Sequence, residues 1–359
     1  MYLKQLTLTQ YKNISSKTFD FSPKINCFIG DNGIGKSNII DSIYHLAFGK
    51  SYFNPIAIQN IQHDKDFFVI EGRFEKMGKK EKIICSLKRG QKKILKRNGK
   101  TYKKLSEHIG LIPSVIISPA DSDLISDGSR ARRKFMDGVI GQTDTAFLQD
   151  LLEYNKIISQ RNALLKFFAL NNTFDQTTLD IYDDQLIKRS DSVYKKRLTF
   201  MKSFVPVFNY HYKNISEGKE SISLEYVSQL HEKSHEELLK NSLSKDRILQ
   251  HTTQGVHKDD INFLLEGQYI KKFGSQGQQK TFLVALKFAQ FDFLKDQIGG
   301  PPILLLDDAF DKLDQKRVTQ IVSLVDQEDF GQIFITDTHE QRTIDALGET
   351  KSNYQIFKI

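Results

Sequence analysis

The sequence has very little cysteine. Among its 359 residues only Cys27 and Cys85 are cysteines, and neither belongs to a C-x-x-C pair or a Cys/His cluster. A disulfide framework and a structural zinc site are therefore both unsupported. We expect the chain to fold in a reducing compartment.

Long apolar runs are also missing. No segment approaches the roughly 20 consecutive apolar residues that a membrane helix needs. The first residues, Met1 to Gln5, alternate polar and apolar side chains as a strand does, and they lack the apolar core of a signal peptide. These absences predict a soluble, cytoplasmic protein without a membrane partner. Internal repeats and low-complexity tracts are absent as well.

The residues that are present can build a large folded protein. Apolar residues make up 39% of the chain, with 26 Phe and 13 Tyr, so real hydrophobic cores are expected. The length fits one large α/β domain with an inserted second lobe. The formal net charge of +8 favours a polyanionic partner.

Apolar periodicity divides the chain into three parts. Short β-like runs separated by Lys-rich turns extend from Phe67 to Leu95 and predict a β-meander. From about Ser129 to Arg247 the apolar spacing becomes helical without sustained heptads, which predicts a helical insert too short for a long coiled coil. We therefore predict a head formed by residues 1–126 and 248–359, and a helical lobe formed by residues 127–247.

Further strands and one helix complete the predicted head. An apolar strand at Ile25 to Ile29 runs into Gly30, and the run from Ser114 through Ser118 to Pro119 is a buried strand that its proline stops. The predicted elements after the lobe are strands at Ile261 to Leu265, Pro302 to Leu306 and Ile333 to Thr336, and a helix from Gln279 to Leu294.

A complete G-x-x-x-x-G-K-[ST] pattern lies between a predicted strand and a predicted helix. It comprises Gly30, Asp31, Asn32, Gly33, Ile34, Gly35, Lys36 and Ser37, and Asn38 follows it. The glycines let backbone N–H groups surround phosphate oxygens, Lys36 would reach the β- and γ-phosphates, and the Ser37 hydroxyl would bind Mg²⁺. The pattern predicts an ATP and Mg²⁺ site with Lys36 as a catalytic residue. A glycine-rich surface turn is the alternative.

Two carboxylates follow the apolar strand Pro302 to Leu306. A buried strand would place Asp307 at its carboxyl end beside the phosphate loop, where it can help to hold Mg²⁺. Asp308 would then face the attacking water as a catalytic residue. Acids at strand ends are common, so this prediction depends on the loop at Gly30 to Ser37.

A third motif opens the helix that ends near Leu294. Its residues are Ser275, Gln276, Gly277 and Gln278. Ser275 suits the N-cap of that helix, and the exposed helix N-terminus suits a γ-phosphate that arrives from outside. Both interpretations remain open from this motif alone.

Together these motifs resemble the RecF family of ABC-type ATPases. Ser275-Gln276-Gly277-Gln278 resembles its signature motif, and Asp311-Lys312-Leu313-Asp314 resembles its D-loop. Further matches are Arg132-Arg133 with Phe135-Met136-Asp137, Gln160-Arg161-Asn162 with Leu164-Leu165, and Gly255-Val256-His257-Lys258-Asp259-Asp260. The resemblance covers nearly the whole chain.

The resemblance implies an α/β fold, namely an ABC-type P-loop ATPase head with a mixed sheet, a β-meander and an inserted α-helical lobe. It implies weak, DNA-stimulated ATP hydrolysis and an ATP-dependent homodimer, in which Ser275 to Gln278 and Asp311 contact the nucleotide of the opposite copy. The implied partners are double-stranded DNA, single-strand/double-strand junctions, and RecR and RecO during recombinase loading at gaps.

The sequence departs from this family's pattern at several positions. Val256 and Lys258 stand where the family has Pro and Arg, so a cation is kept but the bidentate guanidinium is lost. Lys280 follows the signature where Arg is usual. No glutamine marks the loop after the Ile117 strand, and the switch segment reads Thr336-Asp337-Thr338-His339.

Basic residues are dense between Lys76 and Lys104, where Glu81 is the only acid. The lack of balancing acids favours a platform for the phosphate backbone of DNA, without base-specific readout. A solvated face that protects sheet edges is the alternative. The predicted DNA-binding residues are Lys79, Lys80, Lys88, Arg89, Lys92, Lys93, Lys96 and Arg97. A second basic cluster, Arg130 to Lys134, binds DNA or braces nearby Asp residues.

Three other functions use some of the same motifs. A small-molecule kinase would need the phosphate loop but neither a signature helix nor a D-loop. A Rad50-type or SMC-type head would need a longer coiled coil. A DNA-binding module that binds ATP without turnover fits a chain in which Asp308 stands where many ABC proteins have Glu.

Overall fold

The computed structural model describes residues 1–76, 78–308, 331–338, 341, 345 and 353–359. It divides into two compact units. Unit 1 consists of Met1–Ser122 and Phe282–Ile359, and unit 2 consists of Asp123–Thr281. In the described part of the chain, no helix combines the length and the apolar character that crossing a membrane requires.

Unit 1 contains two sheets and helix α1 (Lys36–Phe48). Its strands are β1 (Tyr2–Tyr11), β2 (Ile14–Asp20), β3 (Ile25–Ile29), β4 (Phe67–Lys76), β5 (Lys79–Lys88), β6 (Ile94–Arg97), β7 (Lys100–Thr101), β8 (Ser114–Ile117), β12 (Ile303–Leu306), β13 (Ile333–Asp337) and β14 (Tyr354–Lys358).

Unit 2 is mostly helical. Its helices are α2 (Asp123–Ser126), α3 (Ser129–Thr143), α4 (Thr145–Leu170), α5 (Gln176–Ile215), α6 (His235–Leu249) and α7 (Ile270–Phe273), and its strands are β9 (Ile222–Val227), β10 (Asp260–Leu265) and β11 (Gln268–Tyr269). Helix α8 (Gln276–Ile298) begins in unit 2 and continues into unit 1.

The five-stranded sheet has the order β14-β3-β13-β12-β8, and each of its pairs is parallel. Strands β3, β8, β12 and β13 are buried along their whole length, which explains why their sequences are mostly apolar. Because the strands are parallel, their carboxyl ends lie at one edge, so Gly30, Asp307 and Thr338 follow neighbouring strands there.

The six-stranded sheet has the order β2-β1-β4-β5-β6-β7 and is antiparallel. Burial alternates along β5, where Ile83, Cys85 and Leu87 are buried and the residues between them point to the opposite face. Helix α1 packs on the buried side through Ile39 and Ile43. The predicted β-meander, and an α/β head that combines it with a second sheet, are therefore confirmed.

Aromatic rings hold the two sheets of unit 1 together. Phe21 of the β2–β3 connection meets Phe334 of β13 edge to face at 4.9 Å, and Phe19 of β2 meets Phe357 of β14 edge to face at 5.6 Å. Phe19 of β2 contacts Phe28 at 5.6 Å. Each such pair contributes about 0.5–1.5 kcal/mol beyond the burial of its area. The packing fixes β3, and hence the loop that follows it.

Unit 2 differs from the predicted helical lobe in one element and in its boundary. The predicted helical segment is interrupted by strand β9, because Ile222-Ser-Leu-Glu-Tyr-Val227 alternates and pairs antiparallel with β10. That pairing also joins β10 to the lobe. Residues 248–281, which the sequence analysis assigns to the head, therefore group with the helices of unit 2.

Two buried arginines anchor the interior of unit 2. Arg161 of α4 pairs with Asp246 at 2.7 Å and with Asp183 at 2.6 Å. Arg197 of α5 binds Asp137 at 2.9 Å and Asp259 at 2.7 Å. These pairs join helices that are far apart in sequence, and removing one partner of such a buried pair typically costs about 3–5 kcal/mol.

The second basic cluster, Arg130 to Lys134, braces the same interior. Arg132 makes a two-pronged ion pair with Asp260, at 2.7 and 2.9 Å, and Arg133 donates to the backbone oxygen of Asp259. For these two residues the geometry supports the bracing alternative over DNA contact.

Candidate nucleotide site

The phosphate loop connects β3 to α1 with an open helix N-terminus. Gly33 has φ of 82° and Gly35 has φ of 117°, values that L-residues with side chains rarely adopt. Gly35 is the N-cap of α1, and no side chain caps the helix. The first N–H groups of α1 are thus available to an anion, as phosphate binding requires.

Lys36 is folded against its own loop. Its ammonium donates hydrogen bonds to the backbone oxygens of Gly30 at 2.8 Å and Asp31 at 2.9 Å, and the residue is only 4% exposed. An ammonium has three donors, so one remains for a phosphate oxygen. The arrangement places the positive charge at the centre of the loop.

Asn13 supports the loop from outside it and was not among the predicted site residues. In the β1–β2 turn, its side chain donates to the backbone oxygen of Ile34 at 3.0 Å and accepts from Asn38 at 2.8 Å. A Cβ atom on Gly35 would lie 2.7 Å from the Asn13 amide nitrogen. The Asn13 contact therefore adds to the φ of 117° as a reason for glycine at position 35. A lone Asn in a turn carries no sequence signal for this contact.

Asp307 lies beside the loop, as predicted. The hydroxyl groups of Ser37 and Thr336 both donate to its carboxylate, the latter at 2.9 Å. Burial raises the pKa of Asp307 to about 6, although these two hydrogen bonds oppose the rise. The negative charge of this buried carboxylate is offset by neutral hydroxyl donors, so the carboxylate is suited to bind a cation.

The oxygen donors fit Mg²⁺. Mg²⁺ takes hard oxygen ligands and commonly uses one or two protein groups together with substrate phosphates and waters. The Ser37 hydroxyl and the Asp307 carboxylate supply such a pair, and within the described ranges no cluster of three or more His, Cys, Asp or Glu forms a separate metal site. Ser37 and Asp307 are thus the residues that would hold the ion.

Thr336 joins the two predicted carboxylates and was missed as a site residue. Its hydroxyl donates to Asp307 and accepts from the backbone N–H of Asp308 at 2.9 Å. Asp308 takes a left-handed backbone conformation with φ of 45°, which Asp tolerates better than most residues. The Thr336 contact fixes this turn and therefore sets where Asp308 stands.

A buried polar network links the phosphate-loop helix to α8, and it too was missed. The ammonium of Lys287 on α8 pairs with Asp121 at 2.6 Å and donates to the backbone oxygen of Ile116. The Tyr52 hydroxyl also donates to Asp121, and the Tyr52 N–H donates to Asp41 of α1 at 2.6 Å. The loop after β8, where no glutamine was found, is held by this network.

The signature residues are at the start of α8 in unit 2. The Ser275 hydroxyl accepts from the backbone N–H of Gln278 at 3.2 Å, and the Gln278 side chain accepts from the Ser275 N–H at 2.7 Å. The N-cap interpretation of Ser275 is therefore observed. Ser275 and Gln276 are exposed, so this helix N-terminus also remains open to an external group.

Two predicted elements cannot be placed. Asp311 and the rest of the D-loop resemblance lie outside the described residues, and so does His339 of the switch segment. Thr336, Asp337 and Thr338 are described, and the Thr338 N–H donates to the Asp337 carboxylate at 2.7 Å.

The predicted DNA-binding residues divide into two groups. On β5 and β6, Lys80, Lys88 and Lys96 share the outward face of the antiparallel sheet, because Lys96 pairs with the outward Ile84. Lys79 and Lys92 are exposed in or beside the turns. In the described part of the chain, the side chains of these five lysines form no hydrogen bond or ion pair, so they are available to phosphates.

The remaining three predicted residues have partners within the protein. Arg97 makes a two-pronged ion pair with Glu81, at 2.9 and 2.6 Å. Lys93 is half-buried and donates to the backbone oxygen of Gly49, and Arg89 donates to the backbone oxygen of Lys65. Strand β4 also supplies Glu71, which forms an ion pair with Lys82 at 2.8 Å, so the face carries an acid that lies outside the segment from Lys76 to Lys104.

Comparison with known proteins places these features in a family. The family model described as the RecF/RecN/SMC N terminal domain matches residues 2–358. The chain is 57% identical over 359 residues to the DNA replication and repair protein RecF of Flavobacterium johnsoniae, with 100% of both chains covered. It is 47% identical over 360 residues to the protein of the same name from Bacteroides fragilis, covering 100% of this chain and 96% of the relative.

Solved structures show the same fold. The recombination mediator protein RecF with ATPrS, described as part of the RecFOR pathway, superposes with a TM-score of 0.89 at 28% identity, covering 100% of this chain and 96% of that one. An SMC head bound to a domain of ScpA superposes with a TM-score of 0.58 at 15% identity, covering 96% and 92%, which shows the fold alone. Full-length identity and a family match from end to end show that the chain belongs to the RecF family of DNA replication and repair proteins.

Proposed function

We propose that the protein binds ATP with Mg²⁺, dimerises around the nucleotide on DNA, and resets by slow, DNA-stimulated hydrolysis. The observation that carries the proposal is the convergence of Lys36, Ser37, Asp307 and Thr336 at the carboxyl edge of the parallel sheet. A structure of RecF with ATP, 28% identical over 94% of this chain, supports the choice of nucleotide.

The residues of the site have different roles in binding and hydrolysing the nucleotide. Backbone N–H groups of the loop from Gly30 to Asn38 bind the β-phosphate, and the third donor of the Lys36 ammonium binds a γ-phosphate oxygen. When bound through Ser37 and Asp307, Mg²⁺ neutralises the charge that develops on the phosphates. Asp308, set by its contact with Thr336, positions the attacking water.

A second copy completes each site. The exposed N-terminus of α8, with Ser275 to Gln278, offers N–H groups and a positive helix end to the γ-phosphate of a nucleotide held by another head. ADP lacks that phosphate and should not support dimerisation. Asp311 acts beside the signature residues in this proposal.

The outward face with Lys80, Lys88 and Lys96, together with Lys79 and Lys92, binds the DNA backbone. Such contacts release counterions and do not read bases, so they suit duplex DNA near single-strand/double-strand junctions of any sequence. We infer that the protein acts with RecO and RecR at gaps in cytoplasmic DNA. Two findings support this: its relatives are named DNA replication and repair proteins, and the solved RecF structure is described as part of the RecFOR pathway.

ATPase measurements with and without gapped duplex DNA test the enzymatic part of the proposal. We expect slow turnover that DNA stimulates and that depends on protein concentration, because each site needs two copies. A phosphotransferase would instead turn over as a monomer and would need a small-molecule acceptor. Turnover that is independent of both DNA and protein concentration would contradict the proposal.

DNA binding is tested by a charge-reversal variant of the outward sheet face. Lys80→Glu/Lys88→Glu/Lys96→Glu should weaken binding to all sequences alike and reduce its salt dependence. The matched control is Lys188→Glu/Lys195→Glu/Lys202→Glu on α5, which changes the net charge equally at exposed positions. Equal weakening in both variants would show that net charge, rather than this face, is responsible.

A further inference from the structure

A cavity of about 590 Å³ opens in unit 2, and none of the nucleotide-site, signature or DNA-binding residues assigned above lines it. It lies where the ends of α4 and α6 meet the turn between α4 and α5. Its lining includes Leu165, Phe168, Phe174, Ser244, Arg247 and Ile248. The volume falls within the range of about 300–1,000 Å³ that is typical of ligand pockets.

Arg247 is the charged side chain of this lining. Its guanidinium lies over the Phe174 ring at 4.0 Å, and Phe174 meets Phe168 edge to face at 5.4 Å. Across the described residues, the guanidinium forms no hydrogen bond and no ion pair. The carboxylate of nearby Asp175 caps α5 instead, by accepting from Thr178. The cavity therefore pairs an aromatic floor with a cation that lacks an anion.

Apolar side chains extend the surface beyond the cavity. Phe167 and Leu170, three residues apart on one face of α4, are 55% and 82% exposed, and Ile248 and Leu249 at the end of α6 are 79% and 47% exposed. Exposed apolar side chains concentrated in this way mark binding surfaces more often than ordinary solvent-facing surface. Phe167, Leu170 and Leu249 are exposed but do not line the cavity, so a ligand that contacts them as well as the cavity must be extended.

We propose that this cavity is a docking site for a short peptide segment of a partner protein, one that carries a large apolar side chain next to a carboxylate. The apolar side chain would fill the cavity beside Phe168 and Phe174, and the carboxylate would take the two-pronged ion pair that Arg247 offers. The requirement for a carboxylate rests on charge complementarity.

Two other occupants fit less well. Nucleic acid contacts stacking platforms within a cationic groove, whereas three of the four exposed side chains here are aliphatic and only one cation lines the cavity. A second copy would bring the same cation-bearing surface, and its Asp175 already caps a helix. The proposal does not rest on the nucleotide site, which lies in unit 1.

Fluorescence anisotropy with the full-length protein tests the site. The probe is a labelled octapeptide, Gly-Ser-Gly-Ser-Asp-Asp-Leu-Phe, with an amidated C-terminus, so that the two Asp side chains carry its carboxylates. We expect saturable binding below about 1 mM, the weak end of specific association. A peptide with Lys-Lys in place of Asp-Asp should bind at least about tenfold more weakly, since it lacks the matching charge.

Variants connect the binding to the cavity. Arg247→Glu should weaken the acidic peptide at least about tenfold and favour the basic peptide, and Ser244→Trp should block both by filling the space. The matched control is Lys240→Glu on the same helix, because Lys240 pairs with Glu236 and does not line the cavity. It should bind the acidic peptide normally.

Several results would overturn the proposal. One is the absence of peptide binding at about 1 mM; another is an unchanged affinity in both Arg247→Glu and Ser244→Trp. Binding of an oligothymidylate that Arg247→Glu abolishes would assign the cavity to nucleic acid. A nucleotide-free dimer that Arg247→Glu dissociates would assign it to a second copy.

Discussion

Asp307 and Asp308 are adjacent in sequence but are placed in different environments. Asp307 is buried, accepts hydrogen bonds from Ser37 and Thr336, and has its pKa raised to about 6 by burial. Asp308 is half-buried in a left-handed turn, and its N–H is bound by Thr336. One residue thus suits a cation, and the other suits a polar group at the γ-phosphate.

Substitutions at Lys36 and Asp308 should separate binding from turnover. Lys36→Ala removes the charge that faces the phosphates and should weaken ATP binding and abolish hydrolysis. Asp308→Asn should keep binding near the parental affinity and slow turnover by about 10²-fold or more. Because Asn also tolerates the left-handed backbone, the turn should survive the change. Calorimetric binding and steady-state ATPase rates provide the measurements, and a parental rate in Asp308→Asn would disprove its assigned role.

At the scale of elements, the network from Asp41 through Tyr52 and Asp121 to Lys287 joins α1, the loop after β8 and α8. Both Lys287 and Asp121 are almost completely buried, at 4% and 3% exposure. A buried charge pair stabilises little compared with apolar packing, but each partner depends on the other. The network therefore specifies the position of α8 rather than adding much stability.

Lys287→Met should lower the free energy of unfolding by about 3–5 kcal/mol, because it leaves Asp121 buried without its cation. The double variant Lys287→Met/Asp121→Asn should recover part of this loss, since no unpaired charge remains. Urea denaturation followed by circular dichroism measures both. The loss of unfolding free energy in the double variant is compared with the sum of the losses in the two single variants. A loss larger than that sum would show that charge pairing is not the cause.

The helices of unit 2 should respond to acid through His235. Burial lowers the pKa of His235 to about 4, and its Nδ1 lies 2.7 Å from the Ser190 hydroxyl. Arg161 lowers this pKa further and Asp191 raises it. Since the unfolded side chain has the higher pKa, near 6.5, the unfolded state binds more protons between these values. Stability is then fully present above about pH 6.5 and declines as the pH falls towards about 4.

His235→Gln removes this titration and should flatten the pH dependence of unfolding between about pH 6.5 and 4, by an amount on the order of 3 kcal/mol. The comparison of slopes isolates His235 from the carboxyl groups nearby, which titrate in both proteins. His63→Gln at an exposed position is the control and should keep the parental slope. An unchanged slope in His235→Gln would show that His235 does not titrate in this way.

For the whole molecule, sequence patterns predicted motifs made of consecutive residues and missed contacts between residues that are distant in sequence. The phosphate loop was predictable because the residues from Gly30 to Ser37 are consecutive. The apolar sequences of β3 and β12 indicated buried strands. Asn13, Thr336 and Lys287 were not predictable, because their partners are brought close only by folding. Strand β9 was missed because six alternating residues stand between long helical segments.

The same reason limits the predicted DNA surface. Density of lysine in the sequence from Lys76 to Lys104 indicated a cationic face, but pairing with Glu71 of β4 and Glu81 of β5 depends on strand register. Register cannot be obtained from composition. Five of the eight predicted residues therefore remain available, and three are bonded within the protein.

The assembly of two copies provides the last prediction. Ser275→Arg places a bulky cation at the exposed start of α8, where the helix must approach the nucleotide of another copy. The variant should fail to dimerise with a slowly hydrolysed ATP analogue and should lose hydrolysis. ATP binding to a single head should persist, because the phosphate loop is in unit 1.

The substitution also removes the N-cap of α8, which by itself costs about 1 kcal/mol. Ser275→Ala loses the same cap without adding bulk or charge, so it separates the two effects. We expect Ser275→Ala to dimerise with modestly reduced affinity and Ser275→Arg to remain monomeric in sedimentation velocity. A parental protein that stays monomeric at saturating analogue, or an Ser275→Arg protein that dimerises, would remove the composite site and favour a monomeric phosphotransferase.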